Sequence, residues 1–484
     1  MSTAAEIRNP AIVVDTAQKP LYERLAPAGA WLLAVFFLVT SIYISMHRMF
    51  WYDEIFTTLT ARLSSLRTIW DALVHEPYDP TPFGYFVVVR NFDRLFGPGE
   101  LGIRLPSALA VVAGMLLTYS SARRISDALH GLIALAALTC TLLPFYGYEG
   151  RSYGIYFFLS AAALWGWITE RHPVFFFVLF FCGVTIHYYF VLCLVPFVAE
   201  EVYAWRGFRR STMRTVAGIL GGLAGLAAIS PQIRATSHIS GFWAVPTFDT
   251  LANAFSDFAP RSPFLFAIAL LWIVVADRRK SPQIEAMSPA ERTTWFFLLI
   301  PLVGFILALV VTHAFLSRYL IGILPGLSVG LASLLCRRFR GVPQISLGIL
   351  LLLGGYGVFT QLRAVRHPDK IQTFGPVQER TRKILALEDQ FTADGKQYIA
   401  SDLLWFLQAR YYSHHPERYV LVPESPLTHS RYYPFPSWTL EEATKHAHET
   451  AFLSPPDELL QSTGKAGMRP VWTLLEPFTV LYLE

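Results

Sequence analysis

Long apolar runs separated by short polar breaks dominate the chain up to residue 360. The first run, residues 28–46, has nineteen residues without an acid, a base or a proline, enough for a helix that crosses a bilayer. The run at 173–199 is too long for one span, and Gly183 and "HYYF" at its middle favour two short helices that meet near His187. About eleven spanning or half-spanning helices are therefore predicted, the other eight at residues 105–121, 128–145, 153–169, 213–230, 263–276, 295–312, 319–336 and 342–360.

Residues 51–104 form the longest polar interruption of this pattern. Within "EIFTTLTARLSSLRTIWDALV" the apolar residues recur every three or four positions, which predicts one amphipathic helix lying along the membrane surface. A second such helix, "FGYFVVVRNFDRLFG", follows the segment "HEPYDPTP", whose three prolines forbid continuous helix. We expect this loop to be an ordered platform at the outer leaflet.

Residues 361–484 contain no run long enough to span a membrane. The stretches "KQYIASD", "RYVLVPE" and "PVWTLLEP" resemble short strands, and "LLWFLQARYY" between the first two resembles a helix. The predicted architecture is thus a mainly α polytopic membrane protein: an N-terminal cytoplasmic tail (1–27), a transmembrane region (28–360) and a small C-terminal α/β domain (361–484) outside the membrane.

Composition and charge agree with a membrane protein. The chain is 53% hydrophobic and 15% charged, against roughly a quarter charged residues in soluble domains. The net charge of +5 comes mainly from arginines near the ends of apolar runs, which indicates leaflet orientation rather than nucleic-acid binding. The four cysteines lie in or beside apolar runs, so no disulfide framework or thiolate metal site is predicted.

The basic short loops predict which ends of the spans are cytoplasmic. Arginines cluster near residues 123–124, 206–214, 278–280 and 337–340, and if these are inside, so is the N-terminus. The 51–104 loop, the turn at 146–153 and the C-terminal segment then lie outside. Several arginines on the outer side break this bias and need another reason to be there, among them Arg62, Arg67, Arg90, Arg104, Arg151 and Arg318.

Asp53 and Glu54 stand where the first span should leave the membrane. One interpretation is structural: Asp53 is the N-cap of the surface helix, and an acid in its first turn complements the helix dipole. The other is chemical: a general base, or a carboxylate that binds a metal, at a cleft facing the lipid. Both can hold at once.

Three further polar sites accompany this pair. His75, Glu76 and Asp79, within five residues, could transfer protons or bind a metal ion, although a Pro-rich turn alone would also explain them. Arg151 suits a lipid phosphate held in a bidentate fork, although it could snorkel or pair with Glu149. Arg318 and Tyr319 end another span and suit the same anion, and His187 could approach from its hairpin or be a satisfied structural histidine.

The order of these parts resembles the GT-C glycosyltransferases that use polyprenyl-phosphate sugars, which include protein O-mannosyltransferases and the aminoarabinose transferase of lipid A. The resemblance covers residues 28–360 and lies in "WYDE", "HEPYDPTPFGYF", "FGPGELGIRLPSALAVVAG", "EGRSYGIYFFLSAAAL" and "SRYLIGILPGL". Two departures, "DPTPFGY" for the family's double proline and "HYY" for its lysine-rich hairpin tip, leave the sugar and the acceptor open.

The resemblance implies roles for these residues. Asp53 would be the catalytic base with Glu54 beside it, and Arg318, Arg151, Tyr319 and His187 would hold the donor phosphate. The reaction would be one inverting displacement, in which an acceptor deprotonated by Asp53 attacks the anomeric carbon and polyprenyl phosphate leaves. Some relatives use a divalent metal ion and others do not, and Asp53, Glu54, His75 and Glu76 could supply ligands.

The implied partners are a polyprenyl-phosphate sugar, membrane lipids and an envelope acceptor, which could be a glycolipid, lipopolysaccharide, polysaccharide or protein. The expected location is a bacterial inner membrane with the active site facing the periplasm. Two alternatives remain open: a lipid or sugar transporter or flippase, and a scaffold that recruits partners through its C-terminal domain. Transporters usually carry buried charges near mid-membrane, whereas the ionisable residues here collect at one face.

Overall fold

The computed structural model describes residues 20–205, 207–236, 244–258, 286–339, 342–368, 371, 375–422, 430–453, 470–475 and 478–483. Most of these residues are helical, as predicted. The helices are α1 (Leu21–His47), α2 (Tyr52–Ala61), α3 (Leu66–His75), α4 (Phe83–Phe96), α5 (Glu100–Ile125), α6 (Ala128–Thr139), α7 (Leu143–Tyr146), α8 (Tyr153–Ile168), α9 (Pro173–Ile186), α10 (Val195–Tyr203), α11 (Arg210–Ala228), α12 (Ser230–Thr236), α13 (Phe248–Phe258), α14 (Pro289–Phe296), α15 (Ile300–Leu307), α16 (Leu324–Phe339), α17 (Pro343–Arg366), α18 (Gly375–Ala393), α19 (Leu403–Tyr412) and α20 (Leu440–Lys445).

Five helical stretches of the described chain are long and apolar enough to cross a membrane. Helices α11 and α12, with an angle of 62° between them, are either a broken sixth span or a re-entrant loop. Helices α6, α8 and α9 are apolar but shorter. The run predicted at 263–276 lies outside the described residues. The chain is therefore a multi-pass membrane protein, and the count of about eleven spans stays a prediction. The five stretches are Leu21–His47, Glu100–Ile125, Pro289–Thr312, Ser317–Phe339 and Pro343–Arg366.

Helix α5 is central to the bundle and packs against α1, α4, α6 and α8. Two glycines allow neighbouring helices to approach closely. A Cβ atom on Gly114 of α5 would lie 2.5 Å from the ring of Phe157 in α8, and one on Gly221 of α11 would lie 2.1 Å from the carbonyl oxygen of Phe177 in α9. Small residues at such contacts let membrane helices pack through dispersion, because lipid provides no hydrophobic force between them.

The run at 173–199 forms two helices, as predicted. Helix α9 ends at Ile186, where His187 takes an extended conformation, and a 3₁₀ turn at Tyr188–Leu194 leads into α10. Gly183 makes this hairpin compact, because a Cβ there would lie 2.1 Å from the ring of Phe190. His187 is thereby held at the turn between the two helices.

The 51–104 loop forms the predicted platform, with one correction. The stretch predicted as one amphipathic helix is two helices, α2 and α3, because Ser65 is extended and caps α3 by accepting a hydrogen bond from the Thr68 amide at 3.0 Å. The apolar faces of both helices are buried through Ile55, Ile69 and Leu73. The Pro-rich segment then separates α3 from α4, as expected.

The C-terminal segment contains the three predicted strands, the predicted helix α19 and two further strands. They form a mixed sheet in the order β2-β1-β3-β5-β4, in which β1 is parallel to β2 and β3, and β5 is antiparallel to β3 and β4. The proposed domain boundary at residue 361 stays a prediction, since α17 continues to Arg366. The strands are β1 (Tyr398–Ser401), β2 (Tyr419–Leu421), β3 (Thr450–Leu453), β4 (Pro470–Leu475) and β5 (Phe478–Leu483).

Candidate active site

Asp53 and Glu54 lie in the first turn of α2, and their side chains have different surroundings. The residue preceding α2 is Trp51, in an extended conformation, so the interpretation of Asp53 as the N-cap is wrong. Glu54 instead accepts a hydrogen bond from the Trp51 amide at 3.2 Å, as the third residue of a capped helix commonly does. The helix start is therefore stabilised by Glu54, and Asp53 is left for another purpose.

The Glu54 carboxylate is fully buried and engaged by two arginines. Arg104 donates to its two oxygens at 2.7 and 2.6 Å, and Arg48 donates to both at 3.1 and 3.2 Å. The Gly150 amide donates a further bond at 2.6 Å. Burial by itself would raise the pKa of Glu54, but the two guanidinium groups and these hydrogen bonds hold it below its ordinary value. Glu54 is therefore ionised at neutral pH.

Arg104 connects this carboxylate to the end of α1. Its guanidinium also donates to the carbonyl oxygens of Ser45, Arg48 and Met49, at 2.8, 2.6 and 2.9 Å. One buried cation thus fixes the end of the first span, the start of α2 and the start of α5. This structural role gives a reason for an arginine that breaks the predicted charge bias.

The Asp53 side chain is half-buried and, among the described residues, makes no hydrogen bond and no ion pair. Burial raises its pKa above the ordinary value of 3.8, while Arg151 and Arg318 oppose that rise. Carboxylates desolvated in this way are better proton acceptors than those in water. Asp53 is therefore the acid of the pair that is available for chemistry.

Arg151 and Asp79 are brought together in a buried ion pair. Arg151 donates to Asp79 at 2.8 Å, to the Thr57 hydroxyl at 3.0 Å and to the Asp53 carbonyl oxygen at 3.4 Å. The alternative pairing of Arg151 with Glu149 does not occur. The 146–153 turn is thus tied to α2 and to the Pro-rich segment, and it presents a buried cation near Asp53.

Arg318, Tyr319 and His187 meet in an aromatic cluster. The Arg318 guanidinium lies over the ring of Tyr153, 5.6 Å from its centroid. The Tyr319 ring lies 5.6 Å from that of His187 and 5.0 Å from that of Tyr189. These residues come from α8, the α9–α10 hairpin and the start of the span at 317–339, and Arg318 is among the charges that act on Asp53.

His75 and Glu76 lie apart from this centre. His75 is exposed, with its ring nitrogen Nδ1 2.9 Å from the Asp71 carbonyl oxygen. Glu76 accepts hydrogen bonds from the Ser430 hydroxyl and from the Arg431 amide, so it ties the platform to the C-terminal segment. Both were candidates for acceptor or metal binding, and the contacts of Glu76 favour a structural role.

The metal hypothesis receives no support from the geometry. In the described part of the chain, three or more His, Cys, Asp or Glu side chains lie within ligand distance of one another at one place, Asp127, His130 and Cys336, which is none of the candidates. There the His130 ring bonds to Asp127 and Ser346 at the start of α6. Glu54 and Glu76 are occupied by protein donors, so we derive no step through a metal ion.

Helix α19 of the C-terminal segment forms hydrogen bonds to Phe50, shortly before α2. Gln408 donates its side-chain amide to the Phe50 carbonyl oxygen, and the Phe50 amide donates to the Tyr412 hydroxyl. Tyr412 in turn donates to Glu100 at 3.0 Å. Both polar groups of one residue, three positions before Asp53, are therefore held by residues more than 350 positions later.

Comparison with known proteins supports this picture. Residues 80–234, about a third of the chain, match the family described as Dolichyl-phosphate-mannose-protein mannosyltransferase. A crystal structure of ArnT from Cupriavidus metallidurans in the apo state aligns with a TM-score of 0.60 and 14% identity, covering 94% of this chain and 98% of that chain. The same protein bound to undecaprenyl phosphate aligns with a TM-score of 0.58 and 14% identity, covering 94% and 97%. Curated protein sequences give no significant match.

The resemblance to the GT-C glycosyltransferases is confirmed. At 14% identity the match to ArnT establishes a common fold over nearly the whole chain, including the segment after residue 360. The likeness of fold is thus wider than residues 28–360, from which the GT-C resemblance was inferred. The matched family region begins in the Pro-rich segment and ends in α12.

Three residues that contribute to this candidate site were missed by sequence reasoning. Arg48 directly follows α1 and precedes the acid pair, and a cation at that position was the available signal. Gln408 and Tyr412 gave no signal, because "LLWFLQARYY" reads only as a helix. Both residues bond to the backbone of Phe50, and a backbone partner cannot be recognised from the pattern of side chains.

The α19 contact leads to a first prediction. We expect Gln408→Leu to lower the turnover number about tenfold with little change in donor affinity, because the buried Phe50 carbonyl loses its partner, at a cost of about 1–3 kcal/mol, and α2 shifts. Steady-state kinetics of purified protein would measure both quantities. Gln390→Leu on the exposed face of α18 is the matched control. A Gln408 variant with unchanged turnover would show that α19 has no influence on Asp53.

Proposed function

We propose that this protein is a membrane glycosyltransferase that moves a sugar from a polyprenyl-phosphate donor to an envelope acceptor, on the periplasmic face of a bacterial inner membrane. The observation that carries the proposal is the contrast between the two acids of α2. Glu54 is neutralised by Arg48 and Arg104, whereas Asp53 has no bonded partner among the described residues and faces Arg151 and Arg318.

This arrangement fits a displacement at a sugar carbon. The acceptor hydroxyl or amine transfers its proton to the Asp53 carboxylate as its oxygen or nitrogen bonds to the anomeric carbon. The bond from that carbon to the phosphate oxygen breaks, and the electron pair stays on the phosphate. Because nucleophile and leaving group lie on opposite faces of the carbon, the anomeric configuration inverts.

Arg318 is the group best suited to hold the donor phosphate. Its guanidinium can form two parallel hydrogen bonds to phosphate oxygens, and such contacts are stronger in a partly dry site than in water. Arg151 contributes positive charge, although its donors are shared with Asp79 and Thr57. Tyr319 and His187 both pack against Tyr153, the ring over which the Arg318 guanidinium lies.

The likeness to ArnT bound to undecaprenyl phosphate supports a lipid-phosphate donor. The family match, whose description names a mannosyltransferase using dolichyl phosphate mannose, supports the same donor class. The sugar and the acceptor are not specified by either likeness. We therefore propose the donor class and the reaction, and leave the acceptor as any envelope molecule with a nucleophilic hydroxyl or amine.

The decisive experiment compares the envelope of cells with and without this chain by mass spectrometry of glycolipids and glycoproteins. A sugar present only with the wild-type chain identifies the acceptor. Purified protein should then transfer that sugar from its polyprenyl-phosphate carrier. Movement of the lipid-linked sugar across vesicles without covalent transfer would replace the proposal by the transporter alternative.

The donor-phosphate role of Arg318 can be tested separately. We expect Arg318→Gln to weaken the binding of undecaprenyl phosphate about 10- to 100-fold, since a charged hydrogen bond contributes about 1.5–3 kcal/mol. Binding to purified protein in detergent measures this change. Arg67→Gln, an exposed arginine of the platform, is the matched control. Equal affinity in the wild type and the Arg318 variant would contradict the assignment.

A further inference from the structure

The turn between α7 and α8 contains one acid, Glu149, to which no role has been given. Its side chain is 2% exposed, and its Oε2 atom is shut off from solvent without a hydrogen-bond partner in the described part of the chain. Burying a polar group without a partner costs about 1–3 kcal/mol, and native structures rarely do so. The group is therefore expected to meet a partner that the chain itself does not supply.

The backbone of this turn is held in place on both sides of Glu149. On one side the Tyr148 carbonyl oxygen accepts a hydrogen bond from Arg48 at 2.8 Å, and on the other the Gly150 amide donates to Glu54 at 2.6 Å. A Cβ on Gly150 would lie 2.7 Å from the Ile103 side chain, so only glycine fits there. The Glu54 network thus fixes the backbone on both sides of the unpaired carboxyl.

The surroundings of Glu149 indicate which partner it meets. Arg318 and Arg151, the two cations assigned to the donor phosphate, are among the charges that act on it. Burial raises the pKa of Glu149 to about 8, against the pull of these arginines, so its carboxyl carries a proton at neutral pH. The ionisable groups that face it are Arg318, Arg151, Arg48, Glu54, Tyr153 and Tyr85.

We propose that Glu149 is a further catalytic residue, whose carboxylic acid donates a hydrogen bond to the phosphate of the donor and gives that proton to the leaving group. The inference rests on the proposed function. A neutral carboxyl can occupy a place between two arginines and an anion without repelling the anion, which a carboxylate could not. The Oε2 atom, which has no partner within the described residues, would then find its hydrogen-bond partner in the donor phosphate.

The proton balance of the reaction is complete with two acids. The acceptor loses its proton to Asp53 as the new bond to the anomeric carbon forms. The bond between that carbon and the phosphate oxygen breaks, and a phosphate oxygen receives the Glu149 proton. The products are the glycosylated acceptor and a polyprenyl hydrogen phosphate. Asp53 then releases its proton to water, and Glu149 regains one from water.

Two substitutions of Glu149 separate hydrogen bonding from proton transfer. Glu149→Gln keeps an N–H donor of the same shape, so we expect undecaprenyl phosphate to bind within about twofold of wild type while turnover falls about 100-fold. Glu149→Leu removes the donor as well, and we expect binding to weaken about tenfold. The Leu variant should melt no lower than wild type in the absence of ligand, because an unpaired buried carboxyl has been removed.

The pH profile gives an independent readout. In the wild type, turnover should fall as the pH rises through about 8, because Glu149 loses the proton that it donates. The Gln variant should lack this decline, since its amide does not ionise in that range. A structural role for Glu149 would change the melting temperature and leave the shape of the profile unaltered.

The outcomes distinguish this inference from the proposed function. If wild type binds undecaprenyl phosphate and transfers sugar while Glu149→Gln keeps full turnover and the wild-type pH profile, the role of Glu149 is overturned and the proposed function stands. If wild type itself neither binds undecaprenyl phosphate nor transfers sugar, both are overturned. Asp53→Asn is the reference variant, because it should bind the lipid normally and transfer sugar about 10³-fold more slowly.

Discussion

Asp53→Asn is expected to lower sugar transfer about 10³-fold while the protein still folds, inserts and binds donor. The amide has the shape of the carboxylate but cannot accept the acceptor's proton, and general-base catalysis contributes about 10²–10⁴ in rate. The fold should be unaffected, because the Asp53 carboxylate makes no hydrogen bond or ion pair within the described residues. Transfer from a polyprenyl-phosphate sugar and binding of undecaprenyl phosphate would be measured on the same preparation.

The control for this variant is Asp71→Asn, which removes an exposed acid of the same platform that lies 4.0 Å from Arg67. Its activity should equal that of the wild type. The wild-type rate should fall as the pH is lowered through the pKa of Asp53, which burial raises above 3.8, because only the carboxylate accepts a proton. Full activity of Asp53→Asn would remove the base from the mechanism and with it the assignment of this site.

Glu54→Gln is expected to lower the free energy of unfolding by about 3–5 kcal/mol, the usual result of removing one partner of a buried ion pair. The amide would leave Arg48 and Arg104, both 0% exposed, without their counter-charge. Activity would be lost together with the fold, because these arginines fix the start of α2. Thermal unfolding in detergent, followed by tryptophan fluorescence, measures the effect, with the exposed Glu379→Gln as control.

The pH dependence of stability provides a second test of the Glu54 network. The folded pKa of Glu54 is below the ordinary 4.5, so the ionised group stabilises the fold at neutral pH. That contribution is lost as the pH falls below 4.5 and through the folded pKa. The melting temperature of Glu54→Gln should therefore be less sensitive to acid than that of the wild type. A melting temperature equal to that of the wild type at pH 7 would contradict the network's role.

The sequence was a good guide where the physical signal is local. Apolar runs predicted the spans, because a helix in lipid must satisfy its own backbone groups. Arg104 and Arg151, which break the predicted charge bias, each pair with a buried acid, Glu54 and Asp79 respectively. The anionic partner expected for Arg318 stays a prediction. The break between α2 and α3 was missed because the apolar spacing continues across Ser65.

It could not be predicted from the residues alone that Glu54 pairs with arginines while, in the described chain, the Asp53 side chain does not. The two acids are adjacent and nearly equal in chemistry, and successive side chains on a helix point about 100° apart. Which of them meets Arg104 depends on how α5 packs against α2. The contacts of Glu76 were unpredictable for the same reason, because its partners, Ser430 and Arg431, are more than 350 residues away.

The contacts between Phe50 and α19 have a consequence for biosynthesis. The ribosome completes the segment containing Phe50 long before it reaches Gln408 and Tyr412, which lie about 360 positions downstream. The nascent chain must therefore hold its first loop in an unfinished state through the insertion of all later spans. Premature termination anywhere before α19 should yield an inserted but inactive polypeptide, so activity would require translation through α19.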